Sequence, residues 1–139
     1  MTDTALFASF YASLGATVVA LGAALLLAHK HRAEAHIAAV AVFAVLLLVT
    51  LVFAEMLGAR YDFDATASRV HLPLAFTTAG FLLVPVSTGI MHYKGKMSRS
   101  IHVWTARVFL VLVVATVGTG WWRLTTRRPQ APAPTEAPG

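Results

Sequence analysis

The chain has no cysteine, which excludes disulfides, zinc–thiolate centres, iron–sulfur clusters and thiol catalysis. It has no phosphate-cradling glycine loop, no nucleophile elbow and no HExxH or HxxxH motif, so hydrolytic and nucleotide chemistry have no foothold. Charge is scarce too: 12% of the 139 residues are Asp, Glu, Lys or Arg, against 58% hydrophobic. A water-soluble domain of this length has too little interior to bury that much apolar chain. The composition therefore points to a polytopic membrane protein. Little chain is left outside the apolar runs to build a catalytic domain, so it is not expected to be an enzyme by itself.

Four long apolar runs separated by short polar turns occupy most of the sequence. The expected spans are residues 7–28, 37–57, 71–91 and 101–122. The first has 22 residues without an ionisable group, enough at ~1.5 Å per residue to cross a hydrocarbon layer ~30 Å thick. It lacks a basic leader and is read as retained. The fold class is an all-α, integral membrane four-helix bundle, up-down-up-down, over residues 1–126. In the third span, Pro73 suits a helix start, whereas Pro85 predicts a kink and a freed backbone carbonyl. Residues 58–69 read as an irregular connection. Residues 127–139 hold four of the six prolines and read as a disordered Pro/Ala-rich tail. No internal repeat is expected beyond the general similarity of one helical hairpin to another.

An even number of spans places both termini on one side of the membrane. The opposite side carries Lys30, Arg32, Lys94, Lys96 and Arg99 in two short turns; the terminal side carries Arg60, Arg69, Arg123, Arg127 and Arg128. The counts tie, but basic residues orient a protein best from short turns. The turns are therefore assigned to the cytoplasm and the termini outside it, as in a bacterial inner membrane. Tyr11, Tyr61, Trp121 and Trp122 at one face, with Tyr93 and Trp104 at the other, form aromatic belts. The net charge of +5 is explained by helix ends, not by nucleic acid.

Six histidines are many for so small a chain, and five of them (His29, His31, His36, His92 and His102) fall at the side of the first and third turns. A lone interfacial histidine is ordinarily a polar helix-end group. The faces they occupy carry more information. In the first span Ala8, Gly15, Gly22 and His29 recur every seven residues, a small-residue face suited to helix packing. In the second, His36, Val40, Phe43, Leu47, Thr50 and Ala54 share a stripe; in the fourth, His102, Ala106, Phe109, Val113 and Gly120 do. With both stripes inward, His36 and His102 would offer two axial imidazoles to a b-type haem. Arg99, Arg32 and Lys96 would be partners for its propionates. Arg107 is either a snorkelling anchor or a haem or interhelix partner. Copper is the competing ligand, with Met91 or Met97 near His92.

At the opposite side Glu55 ends the second span and His71 opens the third. They would form a hydrogen-bonded pair, a proton path or half of a metal or quinone site, unless Glu55 merely marks the membrane exit beside Arg60 or Arg69. Thr77, Thr78, Ser87 and Thr88 can bond backbone carbonyls without any further role.

HLPLAFTTAGFLLVP (71–85), HVWTAR (102–107) and the Thr-Gly at 119–120 resemble a bacterial four-helix membrane family catalogued as domain of unknown function 420. KHRAEAH (30–36) looks like the histidine-containing start of that family's second helix. His36, His71, His102, Ala106, Arg107, Thr119 and Gly120 match its pattern. Two features depart from it: Glu55 stands where a histidine often closes the second helix, and FLVLVVATV (109–117) lacks the usual aromatics. The resemblance implies an accessory role in assembling haem-copper terminal oxidases, with histidines that bind haem or copper.

The leading expectation is a small membrane accessory protein whose inward histidines bind haem b or copper and support a respiratory oxidase. The alternatives are a b-type electron-transfer protein or anchor subunit of a quinone-linked redox complex, and a cofactor-free structural subunit. Candidate cofactor-binding residues are His36, His102, His29, His92, Arg99 and Arg107. Candidate metal ligands are His71, Glu55, His36 and His102. The partners are the lipid bilayer and oxidase subunits or another membrane redox protein.

Overall fold

The computed structural model describes residues 1–129. Its elements are α1 (Asp3–His29), α2 (Ala33–Gly58), β1 (Tyr61–Asp62), α3 (Ala65–Phe81), α4 (Leu83–Tyr93), α5 (Arg99–Thr125) and β2 (Arg128–Pro129). The all-α, four-span architecture expected from the sequence is present. Helices α1, α2 and α5, and α3 together with α4, are each long and apolar enough to cross a membrane. In hydrocarbon a helix bonds its own backbone, so a long apolar run has no cheaper conformation. The chain divides into two compact units, residues 1–61 and the chain from 62 onward, each a helical hairpin.

Polarity is arranged as a bilayer demands. Val19 and Val114 are 73% and 72% exposed, whereas the buried polar residues are all hydroxyls: Ser13, Thr17, Thr50, Thr78 and Thr88. Each of these hydroxyls is hydrogen-bonded. No buried side-chain nitrogen or oxygen lacks a partner among the described residues. A lipid-facing helix gains nothing from hiding its Val and Leu, and loses much by exposing a hydroxyl. This is a multi-pass membrane protein.

In the first hairpin α1 buries Leu6, Phe10, Ser13, Thr17, Ala20 and Ala24, and α2 buries Phe43, Thr50 and Leu57. The α1 spacing alternates four and three, and the α2 spacing is seven, as in a left-handed antiparallel coil. The α2 stripe expected from the sequence is the one that packs. The α1 stripe is not. Ala8, Gly15 and His29 are exposed, and a Cβ at Gly15 or Gly22 would meet nothing within 4 Å. The hydroxyl face displaces the small-residue face because Thr17 bonds Thr50 across the hairpin at 3.0 Å.

Both hairpin turns close their first helix in the same way. Lys30 to Arg32 link α1 to α2, with His31 at φ 54°, its N–H on Ala28 O and the Arg32 N–H on Leu27 O. Residues 94–98 link α4 to α5, with Gly95 at φ 69°, its N–H on His92 O and the Lys96 N–H on Met91 O. Both are Schellman caps, which need one left-handed residue. Glycine fills that position freely, while His31 fills it at a steric cost.

The second hairpin departs from the expected boundaries. Asp64 Oδ1 accepts the Ala67 N–H at 2.9 Å, so α3 starts at Ala65. Pro73 is therefore interior, not in the first turn, and residues 65–69 of the expected connection are helical. The interruption falls at Leu82, between α3 and α4. Pro85 has no N–H to give Phe81 O, the acceptor four residues back, and the neighbouring Val86 N–H reaches Leu82 O at 3.3 Å. The interruption thus lies three residues before Pro85, with Leu82 itself in the right-handed helical region at φ −52° and ψ −34°. Of the expected tail, Arg127 Nη1 bonds Leu124 O and Arg128–Pro129 is extended; the rest, from residue 130, lies outside the described residues.

Candidate functional site

The second hairpin brings two histidines against two glycines. His71, in α3, lies on α5 at Gly120; His102, in α5, lies on α4 at Gly89. A Cβ at Gly120 would stand 3.0 Å from His71 Cε1, and one at Gly89 would stand 3.0 Å from His102 Cε1. A methyl group at either place would require the imidazole to give by a few tenths of an ångström. A Cβ at the other glycines in these helices, Gly80 and Gly118, would meet nothing within 4 Å.

The preceding threonines hold the rings. His71 Nδ1 lies 3.1 Å from Thr119 Oγ1, and His102 Nδ1 lies 3.4 Å from Thr88 Oγ1. The Thr119 hydroxyl is also within reach of Ala115 O at 2.9 Å and Thr116 O at 3.2 Å; when its hydrogen serves either carbonyl, Thr119 Oγ1 accepts from His71 Nδ1–H. Thr88 Oγ1 is likewise within reach of Pro85 O and of Thr105 Oγ1, which itself lies beside His102 O.

Two further histidines have a carbonyl at Nδ1. His36 Nδ1 lies 2.8 Å from Ala24 O, and His92 Nδ1 lies 3.1 Å from Met97 O. A carbonyl only accepts, so both rings donate through Nδ1–H. Of the four partly buried histidines (36, 71, 92 and 102), His36 and His92 thus carry their neutral-ring lone pair on Nε2, and the tautomers of His71 and His102 follow the way their threonine hydroxyls turn. His29 and His31 are exposed, and His31 is accounted for by its turn.

The residues singled out from the sequence are distributed as follows. His36 packs on α1 within the first hairpin, and His102 packs on α4 within the second. The His102 ring is stacked on His92, with centroids 6.3 Å apart and planes 14° from parallel. Glu55 is exposed and belongs to the first hairpin. The Arg60 offered as its neutraliser instead pairs with Asp3 at 2.9 Å and bonds Met1 O, because the start of α1 lies beside the end of α2. Arg99 and Arg107 are exposed on α5. Thr78 and Thr88 do bond backbone carbonyls, and also reach α5 through Thr116 at 2.7 Å and Thr105 at 3.0 Å.

Sequence reasoning missed Thr88 and Gly89 as site residues and missed the repeat that contains them. His71, Thr88 and Gly89 recur 31 residues later as His102, Thr119 and Gly120. Spacing within one helix relates His102 to Gly120, yet the contacts run across the hairpin. The signal was present as H-x16-T-G occurring twice. Arg123 was also overlooked: its Nε bonds Ser68 Oγ at 3.2 Å and its guanidinium lies 4.0 Å from the Phe63 ring centroid.

No group of three or more His, Asp or Glu close enough to hold a metal ion exists among the described residues. No family model, curated protein or solved structure matches the chain.

Proposed function

We infer that the protein is a small accessory subunit of a membrane redox system whose partly buried histidines ligate a b-type haem. The observation that carries this reading is that His36 and His92 anchor Nδ1–H on a backbone carbonyl, while His71 and His102 set Nδ1 beside a threonine hydroxyl. Haem and metal ligands are typically held this way, with one ring nitrogen fixed by an oxygen and the other offered to the metal. An ionisable group inside a membrane span is by default a functional candidate. Haem suits the donor set better than copper, because an axial site takes one or two imidazoles in apolar surroundings, and the described residues assemble no three-donor cluster. The family resemblance and the span topology extend the reading to support of a haem-copper oxidase in a bacterial inner membrane, with both termini outside the cytoplasm.

The close packing of imidazoles on Gly89 and Gly120 favours a second reading, in which the histidines only lock the hairpin and the subunit carries no cofactor. A reduced-minus-oxidised spectrum of detergent-purified protein separates the two, with metal analysis on the same sample. A sharp alpha band lost in His102→Ala supports haem ligation. A flat spectrum with stoichiometric copper moves the protein to copper handling. A flat, metal-free sample that still co-purifies with oxidase subunits leaves the structural reading.

A further inference from the structure

We propose that the second hairpin binds an anionic phospholipid. Its phosphate is held by Lys94, Lys96, Arg99 and Arg107, and one acyl chain lies in the groove of Leu110, Val111, Val114 and Ala115. The site does not depend on the haem reading above.

The charge of this hairpin is one-sided. No acid occurs between Asp64 and Glu136, and the ion pair that forms among the described residues, Asp3 with Arg60, belongs to the first hairpin. Lys94, Lys96, Arg99 and Arg107 are all exposed, with no carboxylate in their own hairpin's helices to face. The corresponding turn of the first hairpin differs, because Glu34 follows Lys30 and Arg32 in the first turn of α2. The start of α5 has neither an acid in its first turn nor a side-chain cap, and Arg99 stands where the helix dipole favours an anion. A phosphate in the headgroup layer would satisfy both.

Orientation in the membrane accounts for cations in a turn, but not for Arg107. The exposed Trp104 and Trp121 mark the two interfaces; they are 17 residues apart, or about 25 Å at the helical rise. Arg107 lies three residues inside Trp104, where an unpaired charge is costly. A helical side chain leans towards the N-terminus of its helix. The guanidinium therefore rises towards the level of Trp104 and Arg99, where lipid phosphates lie.

The apolar half of the site is on the same face of α5. Arg107, Val111 and Val114 fall within about 60° of arc at 3.6 residues per turn. Leu110, Val111, Val114 and Ala115 line a shallow groove of about 390 Å³, and Val111 and Val114 are 69% and 72% exposed. Arg107 to Ala115 spans about 12 Å along the helix. A phospholipid presents an anion at the interface with an alkyl chain directly beneath it, the same order in which α5 presents its cations and its groove.

The test is native mass spectrometry of the full chain released from detergent, with helicity followed by circular dichroism. The chain is titrated with phosphatidylglycerol or with phosphatidylcholine of identical acyl chains. The expected result is retention of phosphatidylglycerol at concentrations where phosphatidylcholine is lost. Arg99→Gln and Arg107→Gln each weaken that binding about fivefold, the contribution of one cation near an anionic surface, whereas Arg107→Lys keeps most of it. Should Arg107→Gln lose helicity, Lys94→Gln and Lys96→Gln in the turn replace it. Ala115→Trp fills the groove and weakens binding with all four cations in place, while Arg128→Gln, beyond the other end of α5, leaves it unchanged. Equal retention of the two lipids, or indifference to the arginine substitutions on a fully helical chain, overturns the proposal. Binding that survives Ala115→Trp and is displaced by inorganic phosphate overturns it in favour of a plain anion site. A dimer that Ala115→Trp dissociates, with no lipid retained, overturns it in favour of a second copy in the groove.

Discussion

The two hairpins solve one packing problem with different materials. The first buries Leu6, Phe10, Phe43 and Leu57 around a single hydroxyl pair, Thr17–Thr50. The second buries few large side chains, Phe109 among them, and joins its helices through Thr78–Thr116, Thr88–Thr105 and the two His–Thr contacts. Lipid removes the hydrophobic drive for helices to associate, leaving van der Waals contact and interhelical hydrogen bonds. The first hairpin relies mainly on the former and the second on the latter. The difference teaches that the two hairpins divide the available terms between them: interhelical polar contacts concentrate in the second, and close apolar packing in the first.

Removing the helix break would alter this contrast most. Pro85→Ala restores the N–H that Phe81 O lacks, and a helix-interior proline costs ~3 kcal/mol in water. A gain up to about that size is expected in reversible unfolding, together with hydrogen-exchange protection through residue 82. The change moves Thr88 and Gly89 relative to His102 and leaves the His71 end alone. In the first hairpin, Phe43→Ala is expected to cost about 2 kcal/mol in detergent unfolding. That is below the ~3–5 kcal/mol of a soluble core, because lipid is as apolar as the site that loses the ring.

Smaller effects compare like with like. His31→Gly relieves a left-handed non-glycine residue and should stabilise the first hairpin by about 1 kcal/mol, giving its turn the same glycine chemistry as Gly95. Thr17→Val and Thr78→Val each remove one interhelical hydroxyl bond and should cost ~0.6 kcal/mol apiece, the average for such bonds in membranes. A much larger loss for Thr78→Val would mean that the hydroxyls of the second hairpin act as a coupled network. Asp3→Asn breaks the Arg60 ion pair and is expected to change unfolding immeasurably at physiological salt, since both groups are solvated.

Much of this was legible in the sequence. Four apolar runs set the four spans, and the His36–Phe43–Thr50 and His102–Ala106–Phe109 stripes were the ones that packed, because a helical period fixes which residues share a face. The start of α3 was less accessible: the Asp64 cap won over the glycine and aspartates that mark irregular chain, drawing Pro73 into the helix. The wrong face was chosen for α1 because small residues are only permissive, while a Thr–Thr bond in hydrocarbon is directive.

By itself the sequence determined that the protein crosses a membrane four times, for the physical reason that charge-poor runs of this length cannot be solvated and hydrocarbon admits only closed backbone hydrogen bonding. It also contained the repeated His and Thr-Gly, though as spacings within single helices. Only the tertiary structure decided that His71 meets Gly120 and His102 meets Gly89, since that pairing depends on the register of two antiparallel helices. The turn at Gly95 and the break before Pro85 set that register, and no periodicity within one helix encodes it.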